Sequence, residues 1–103
     1  MIIYVDIDET ICTHRETEGP RDYSKASPLF KRIDKINKLF DEGNVIIYWT
    51  ARGTVTGIDW TETTQQQLNN WGAKHHDLKL GKPHYDLFID DKNINSETFF
   101  KET

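Results

Sequence analysis

The fold is decided by residues 2–10, whose sequence is Ile2-Ile3-Tyr4-Val5-Asp6-Ile7-Asp8-Glu9-Thr10. The first four residues are apolar and partly β-branched, which is typical of a short buried strand. Two aspartates follow at a spacing of two, so the strand ends in an acidic turn. Ligands of open α/β sheets bind at the carboxyl ends of the strands. This stretch therefore predicts both a strand of the sheet and one part of a site.

Three more strands are predicted, two of them from apolar runs. Residues 45–49 and 87–89 are expected to be buried strands, and residues 77–80 a weaker one. The second strand is followed by Thr50, and the last by Asp90 and Asp91. Because carboxyl ends of parallel strands meet at one edge of a sheet, these polar residues are expected to lie together.

Helical patterns separate the strands. Ser27 is expected to cap a helix that has Pro28 at its first position and ends near Gly43. A second helix is predicted over residues 60–71, opened by a capping-box pattern of Asp59 and Glu62. A short final helix is expected from Ser96 onward, docking Phe99 or Phe100.

This alternation of strands and helices predicts an α/β fold. We expect a Rossmann-like three-layer sandwich, with a central, mostly parallel sheet covered on both faces. With 103 residues, the chain is expected to form one domain over residues 1–103.

Composition narrows the class of protein. The 36% hydrophobic and 29% charged residues are typical of a globular protein, and no apolar run approaches the roughly 20 residues of a membrane span. We see no secretion signal, and the single Cys12 excludes an internal disulfide, so a cytoplasmic location is expected. The net charge of −4 gives no broad attraction to nucleic acid or to anionic lipid.

The four aspartates at the strand ends predict a cation site. Like charges about 4 Å apart repel by roughly 4 kcal/mol at an effective dielectric near 20, so a cluster either raises a pKa or takes up a cation. Oxygen ligands of this kind favour Mg²⁺. A single aspartate is more often a cap or turn residue, but four at two strand ends favour the site. They are Asp6, Asp8, Asp90 and Asp91.

Thr50 and Lys82 offer what a phosphoryl group needs, a hydroxyl donor and a fixed cation. Either residue alone is more often a cap or a solvated side chain. Arg52 is left open between a contact to phosphate or substrate and a surface ion pair.

The motifs together resemble the haloacid dehalogenase superfamily. Asp6-Ile7-Asp8-Glu9-Thr10 is similar to its first motif, and Thr50, followed by Ala51-Arg52, to its second. Lys82 before Pro83 resembles the third motif, and Asp90-Asp91 the acidic fourth. The four occur in the order of the family and span nearly the whole chain.

This resemblance implies a Mg²⁺-dependent phosphatase. Asp6 would be the nucleophile that forms an aspartyl-phosphate, and Asp8 the general acid/base. Mg²⁺ would be held by the Asp6 carboxylate, the Asp8 main-chain carbonyl and the Asp90-Asp91 pair. The phosphoryl oxygens would be bound by Thr50, Ala51 and Lys82. An acid at position 8 favours phosphate-ester hydrolysis over dehalogenation within the family.

The chain has no room for the cap domain of larger relatives. Residues 9–26 are long enough only for a hairpin-like flap, which implies an open site with a bulky substrate or a neighbouring subunit of a homo-oligomer as cover. The motifs most resemble small capless phosphatases of polysaccharide biosynthesis, which implies a phosphorylated sugar or polyol. His14, in the flap, and His84 are further candidates for substrate contact.

Two other functions stay open at this point. One is a phosphatase that processes nucleic-acid ends, against which the acidic composition counts. The other is a catalytically silent binding module, against which the four intact motifs count.

Overall fold

The computed structural model of the chain describes residues 1–15 and 18–103. Its elements in chain order are β1 (Ile2–Val5), β2 (Cys12–Thr13), β3 (Ser27–Pro28), α1 (Phe30–Asp41), β4 (Val45–Trp49), α2 (Thr61–Asn70), β5 (Asp77–Lys79) and α3 (Ser96–Phe99), with a 3₁₀ turn at Tyr23–Lys25. The predicted strands over residues 2–5, 45–49 and 77–80 and the three predicted helices are therefore confirmed, apart from their bounds.

A parallel sheet in the order β1-β4-β5 forms the centre of the fold. Ile3 lies opposite Ile46, and Val5 opposite Tyr48. Since side chains alternate between the faces of a strand, these residues share one face. That face packs against Ile33 and Ile36 of α1 and Leu68 of α2, which belong to the same buried core. The α/β class with a parallel sheet is confirmed.

The first two helices begin later than predicted. Ser27 and Pro28 form β3, which pairs antiparallel with β2, so Ser27 does not cap a helix. A residue before proline is disfavoured in the α region, which suits this extended backbone. α1 begins at Phe30 without a side-chain cap. Asp59 accepts a hydrogen bond from the Thr61 backbone N–H at 2.9 Å, and α2 begins at Thr61.

The predicted buried strand over residues 87–89 is wrong for the single chain. These residues form no strand, and Leu87, Phe88 and Ile89 are 74%, 43% and 88% exposed. β1 is consequently an edge strand among the described residues.

The second sheet face is also more open than predicted. Ile2 and Tyr4, on the face opposite the core, are 70% and 50% exposed. α3, which could have covered this face, packs instead on α1, where Phe99 lies against Lys35. The expected three-layer sandwich is thus reduced to a sheet with its buried core on one face.

The fold leaves the carboxyl ends of β1 and β4 side by side. The antiparallel β2–β3 ribbon joins the two ends of the predicted hairpin-like flap, of which residues 16–17 lie outside the described residues. Among the described residues, no helix is both long and apolar enough to cross a membrane.

Candidate functional site

A tight loop after β1 sets the direction of the first two aspartates. The Ile7 carbonyl accepts hydrogen bonds from the N–H groups of Thr10 and Ile11, at 3.1 and 2.9 Å. Glu9 has φ of 60°, a left-handed conformation that costs a residue with a Cβ about 1 kcal/mol. Its N–H donates to the Cys12 carbonyl at 2.9 Å, which stabilises the turn.

Asp6 and Lys82 face each other across an open cleft. The Lys82 Nζ lies 3.4 Å from the Asp6 Oδ1, and the Thr10 hydroxyl donates to the Asp6 Oδ2 at 3.3 Å. The cleft has a volume of about 120 Å³, and its lining consists of Asp6, Ala51, Lys82, Pro83, His84 and Tyr85. The predicted nucleophile and the predicted phosphate-binding cation thus lie together beside open space.

Backbone contacts fix Lys82 at the end of β4. The Lys82 N–H donates to the Thr50 carbonyl at 3.1 Å, and the Thr54 hydroxyl donates to the Lys82 carbonyl at 2.7 Å. The Thr50 hydroxyl oxygen, completely buried, accepts from the Arg52 N–H at 3.1 Å. Thr50 therefore lies beneath the cleft, whereas Ala51 lines it directly.

The Asp8 side chain contacts Arg52 and His14 rather than the partners of Asp6. Arg52 donates to both of its carboxylate oxygens, with Nη2 2.9 Å from Oδ1 and Nε 3.1 Å from Oδ2. The His14 Nε2 lies 2.6 Å from Oδ1, and the His14 side chain is only 3% exposed. Neither Arg52 nor His14 lines the cleft. Both residues predicted as substrate contacts therefore bind Asp8 in this structure.

Arg52 is a buried centre of polar contacts rather than a surface ion pair. It is 2% exposed, and its Nη1 donates to the Thr64 hydroxyl at 3.1 Å and to the Gln67 side-chain carbonyl at 2.6 Å. Its guanidinium lies 4.9 Å from the Tyr23 ring centroid. Gln67 in turn donates to the Tyr23 carbonyl at 2.7 Å. These four contacts join the flap, the loop after β4 and α2.

The sequence reasoning missed this α2 contribution. Neither Thr64 nor Gln67 is among the site residues that the sequence predicts. A usable signal was present, because a polar residue on the buried face of a helix needs a partner.

The two aspartates have pKa values shifted in opposite directions. Burial raises the pKa of Asp6, and the neighbouring Lys82 opposes this only in part. Burial would also raise the pKa of Asp8, but the hydrogen bonds and charge of Arg52, with a further contribution from His14, hold that pKa below its ordinary value. Asp8 is consequently a stable carboxylate, whereas Asp6 favours a nearby positive charge.

The pKa of Lys82 is raised. Burial works against this, and the neighbouring Tyr85 and Asp6 outweigh it. The cleft therefore keeps a permanent positive charge next to Asp6.

Asp8, Cys12 and His14 form a cluster of possible metal ligands, but their surroundings do not suit a metal ion. The ligand atoms of this cluster lie within 4.8 Å of one another. However, the Arg52 Nη2 is 2.9 Å from Asp8 and 3.9 Å from the Cys12 sulfur, so a fixed cation already holds this place. Burial also raises the pKa of Cys12 to about 12, which keeps the thiol protonated and a poor ligand.

Asp6 fits the predicted Mg²⁺ better. Its carboxylate borders the cleft, and a cation there would offset the burial that raises its pKa. Mg²⁺ is commonly bound through one or two carboxylates plus phosphate oxygens and water. Within the described residues of one chain, Asp6 is the carboxylate that lines the cleft.

The predicted Asp90-Asp91 pair is not brought to Asp6 and Asp8 in the single chain. Both residues are exposed, neither lines the cleft, and the described residues bring neither into a metal-sized group with Asp6 or Asp8. The expected strand that would carry them to this edge is not formed. His84, by contrast, is exposed and lines the cleft, and its contact with substrate stays a prediction.

The fold is shared with a solved structure. No protein-family model and no curated protein matches the chain. The crystal structure of an MCSG target from Vibrio cholerae is similar, with a TM-score of 0.81 and 21% sequence identity over 99% of this chain and 89% of that one. At this identity, the similarity shows a common fold.

Proposed function

We propose that the protein is a phosphoric monoester hydrolase in which Asp6 is the nucleophile. The observation that carries this proposal is the Asp6–Lys82 pair, 3.4 Å apart, on an open cleft at the carboxyl ends of β1 and β4. A carboxylate beside a fixed ammonium group suits a reaction in which a phosphoryl group is first bound and then attacked. The four motifs that resemble the haloacid dehalogenase superfamily support the same reaction.

In the first step, an Asp6 carboxylate oxygen attacks phosphorus in line with the ester oxygen. The new bond joins Asp6 to phosphorus, the ester P–O bond breaks with its electron pair, and the leaving alcohol takes up a proton. Lys82 binds the phosphoryl oxygens during this transfer, together with the cleft-lining backbone around Ala51 and the Thr50 hydroxyl beneath it.

In the second step, water attacks phosphorus and the bond to Asp6 breaks. Inorganic phosphate leaves, and the Asp6 carboxylate is restored. Asp8 gives its proton to the leaving alcohol in the first step and takes one from the attacking water in the second, so it ends as it began. The low pKa of Asp8 supports the second transfer, for which its carboxylate must be ionised. Arg52 and His14 position Asp8 for these transfers.

Mg²⁺ fits the edge of this cleft as a cofactor. The Asp6 carboxylate and the Asp8 main-chain carbonyl would hold it, and it would supply positive charge that offsets the repulsion between carboxylate and phosphate.

The cleft supports a phosphorylated sugar or polyol as the substrate. Pro83, His84 and Tyr85 line it next to Lys82. An aromatic ring offers stacking for a sugar ring, and the imidazole offers hydrogen bonds to hydroxyl groups. The cleft is open, so it also accepts a bulky substrate. A cytoplasmic location is part of this proposal.

Phosphate release tests the function. Phosphorylated sugars, polyols, nucleotides and DNA ends are screened with Mg²⁺ and again with EDTA. We expect activity on a sugar or polyol phosphate that EDTA removes. Asp6→Asn should lower kcat by at least about 1,000-fold, because it removes the nucleophile. Asp34→Asn, an exposed residue of α1, is the matched control and should keep full activity. An Asp6→Asn variant with wild-type kcat contradicts the proposal.

One observation favours a catalytically silent binding module as the second candidate. Asp8 is held by Arg52 and His14 and does not line the cleft. A silent module would bind inorganic phosphate through Lys82 yet release none from any ester. Calorimetric phosphate binding without turnover would therefore favour it.

A further inference from the structure

The segment between Lys82 and Asn95 is poorly covered by its own chain. Residues 83–94, which we call the arm, make no backbone-to-backbone hydrogen bond within the described chain. Leu87, Ile89 and Ile94 are 74%, 88% and 60% exposed. Exposed apolar runs of this kind mark interaction surfaces in folded proteins. Lys82 is fixed at one end of the arm, and Phe100, 4% exposed, soon after the other.

β1 offers a complementary edge. Among the described residues it pairs with β4 alone, so its other side presents unpaired N–H and C=O groups. Edge strands are ordinarily protected by lysine, proline or a bulge. β1 consists of Ile2, Ile3, Tyr4 and Val5 and has none of these. An edge of this type accepts an additional strand.

We infer that two copies of the chain exchange their arms. Residues 87–89 of each copy add to the free edge of β1 in the other, parallel to it as in the rest of the sheet. Asp90 and Asp91 then lie at the carboxyl end of the partner's β1, next to its Asp6. Each candidate site is thereby completed by the second copy.

The arm is shorter than an ordinary crossover to the edge of its own sheet in this direction. Lys82 lies at the carboxyl end of β4. Leu87 is five peptide steps further, or at most about 18 Å. A parallel strand on the far side of β1 would begin about 10 Å lower and about 10 Å to the side. The path must also pass around the side chains of one sheet face, and such connections ordinarily take a dozen residues or more.

A two-fold axis perpendicular to the sheet removes this difficulty. The strands of the second copy then run in the opposite direction, so the amino end of its β1 lies level with Lys82. The arm moves sideways by about three strand spacings, or roughly 14 Å, and need not descend along the sheet. The contact is the same for both copies, as in most homodimers.

The exchange also supplies what the single cleft lacks. Asp6 is the carboxylate that lines the cleft of one chain, whereas the exposed Asp90-Asp91 pair has no role there. Two further carboxylates beside Asp6 would provide the oxygen ligands that Mg²⁺ prefers. This part of the inference rests on the proposed function, but the arm exchange does not.

Mass measurement tests the exchange without reference to activity. Sedimentation equilibrium should give twice the chain mass of 12.1 kDa. Leu87→Asp with Ile89→Lys should give the single mass with an unchanged circular dichroism spectrum, because both side chains are exposed in the single chain. Val55→Lys, an equally exposed apolar position outside the arm, should remain a dimer. A monomeric wild type, or a dimeric arm variant, overturns the inference.

Mixed dimers test the shared site. Asp6→Asn and the double variant Asp90→Asn with Asp91→Asn should each be inactive. Unfolded together in equal amounts and refolded, they should regain roughly a quarter of wild-type activity, because half of the dimers are mixed and each mixed dimer has one intact site. A dimer whose mixture stays inactive, or a fully active Asp90→Asn/Asp91→Asn variant, overturns the shared site.

Mn²⁺ binding, followed by electron paramagnetic resonance, decides the same question if the wild type proves inactive. In that case the phosphatase proposal fails by itself. The mixture should still recover roughly a quarter of the high-affinity Mn²⁺ sites of the wild type. No recovery, or no high-affinity Mn²⁺ site in the wild-type dimer, overturns the shared site.

Discussion

Two aspartates separated by one residue have different environments here. Asp6 borders the cleft beside one ammonium group, whereas Asp8 is held by a guanidinium and an imidazole. The difference comes from the loop after β1, in which the left-handed Glu9 turns the chain back on itself. Arg52 matters most in this arrangement because it is completely enclosed and has several acceptors.

Arg52→Lys should lower the free energy of unfolding by about 2–3 kcal/mol. A lysine keeps the charge but not the planar set of donors, so the buried Thr64 hydroxyl and the half-buried Gln67 carbonyl lose their donor. Urea unfolding gives the value. Arg32→Lys is the control, since Glu97, its charged partner, is 73% exposed, and the pair should contribute less than about 1 kcal/mol. Equal losses in the two variants would contradict the assigned role of Arg52.

At the scale of elements, the loop between β4 and α2 holds most of the site together. It carries Ala51 in the cleft wall, Arg52 on Asp8 and Thr54 on the Lys82 carbonyl. Gly53 allows the sharp turn between them. Its φ is +81°, and a Cβ there would lie 2.0 Å from the Ile58 carbonyl oxygen.

Gly53→Ala should therefore cost about 3 kcal/mol of stability, from overpacking against backbone and from the positive φ. Thermal unfolding and phosphate release should both show the loss, because the loop carries three site contacts. Gly57→Ala is matched in conformation, with φ of +78°, but has open space around it. It should cost only about 1 kcal/mol. Similar losses at both positions would mean that the close approach to Ile58 is not a constraint.

The strands that neighbour each other in one chain are confirmed, whereas the strand predicted at residues 87–89 is not formed. Apolar runs indicate the burial of β1 and β4, and the connections between the confirmed strands are long enough for parallel pairing. Residues 87–89 are equally apolar. Their pattern does not show, however, whether the short connection from Lys82 can bring them to the free edge of β1 in the same chain. The start of α1 was predicted too early because Ser27 pairs with Thr13 in the β2–β3 ribbon, a contact that the local sequence does not reveal.

The site was predictable in part. The motif resemblance implied that Asp6 and Lys82 belong to one site, and the structure places their charged atoms 3.4 Å apart. The roles of Asp6, Thr50, Ala51 and the aspartate pair at 90–91 stay predictions. The Arg52–Gln67 contact was not predictable from local pattern, because it joins a loop to the buried side of α2 across fifteen positions.

At the scale of the whole molecule, the core contains one hydroxyl that has no partner. Tyr48 is completely buried, its hydroxyl makes no hydrogen bond in the described chain, and burial raises its pKa well above the ordinary value. The unfolded chain therefore loses this proton at lower pH than the folded one. Above a pH of about 10, where free tyrosine ionises, stability should fall as the pH rises.

Tyr48→Phe should remove this alkaline sensitivity and add about 1 kcal/mol at neutral pH, because it removes an unsatisfied polar group. Unfolding midpoints in urea between pH 7 and about 11 give both quantities. Tyr4→Phe, at a half-exposed position, should change stability by less than about 0.5 kcal/mol. A Tyr48→Phe variant less stable than the wild type would show that the hydroxyl has an unrecognised partner.

The buried sulfur of Cys12 allows transient opening of the structure to be measured by thiol labelling. The chain has one cysteine; it is fully buried, and its pKa is raised to about 12. A chromogenic disulfide reagent attacks thiolates that it can reach. The rate of Cys12 labelling should therefore be limited by how often the flap opens. Phosphate bound in the cleft should lower this rate. Labelling as fast as that of a free thiol would mean that the flap is open most of the time.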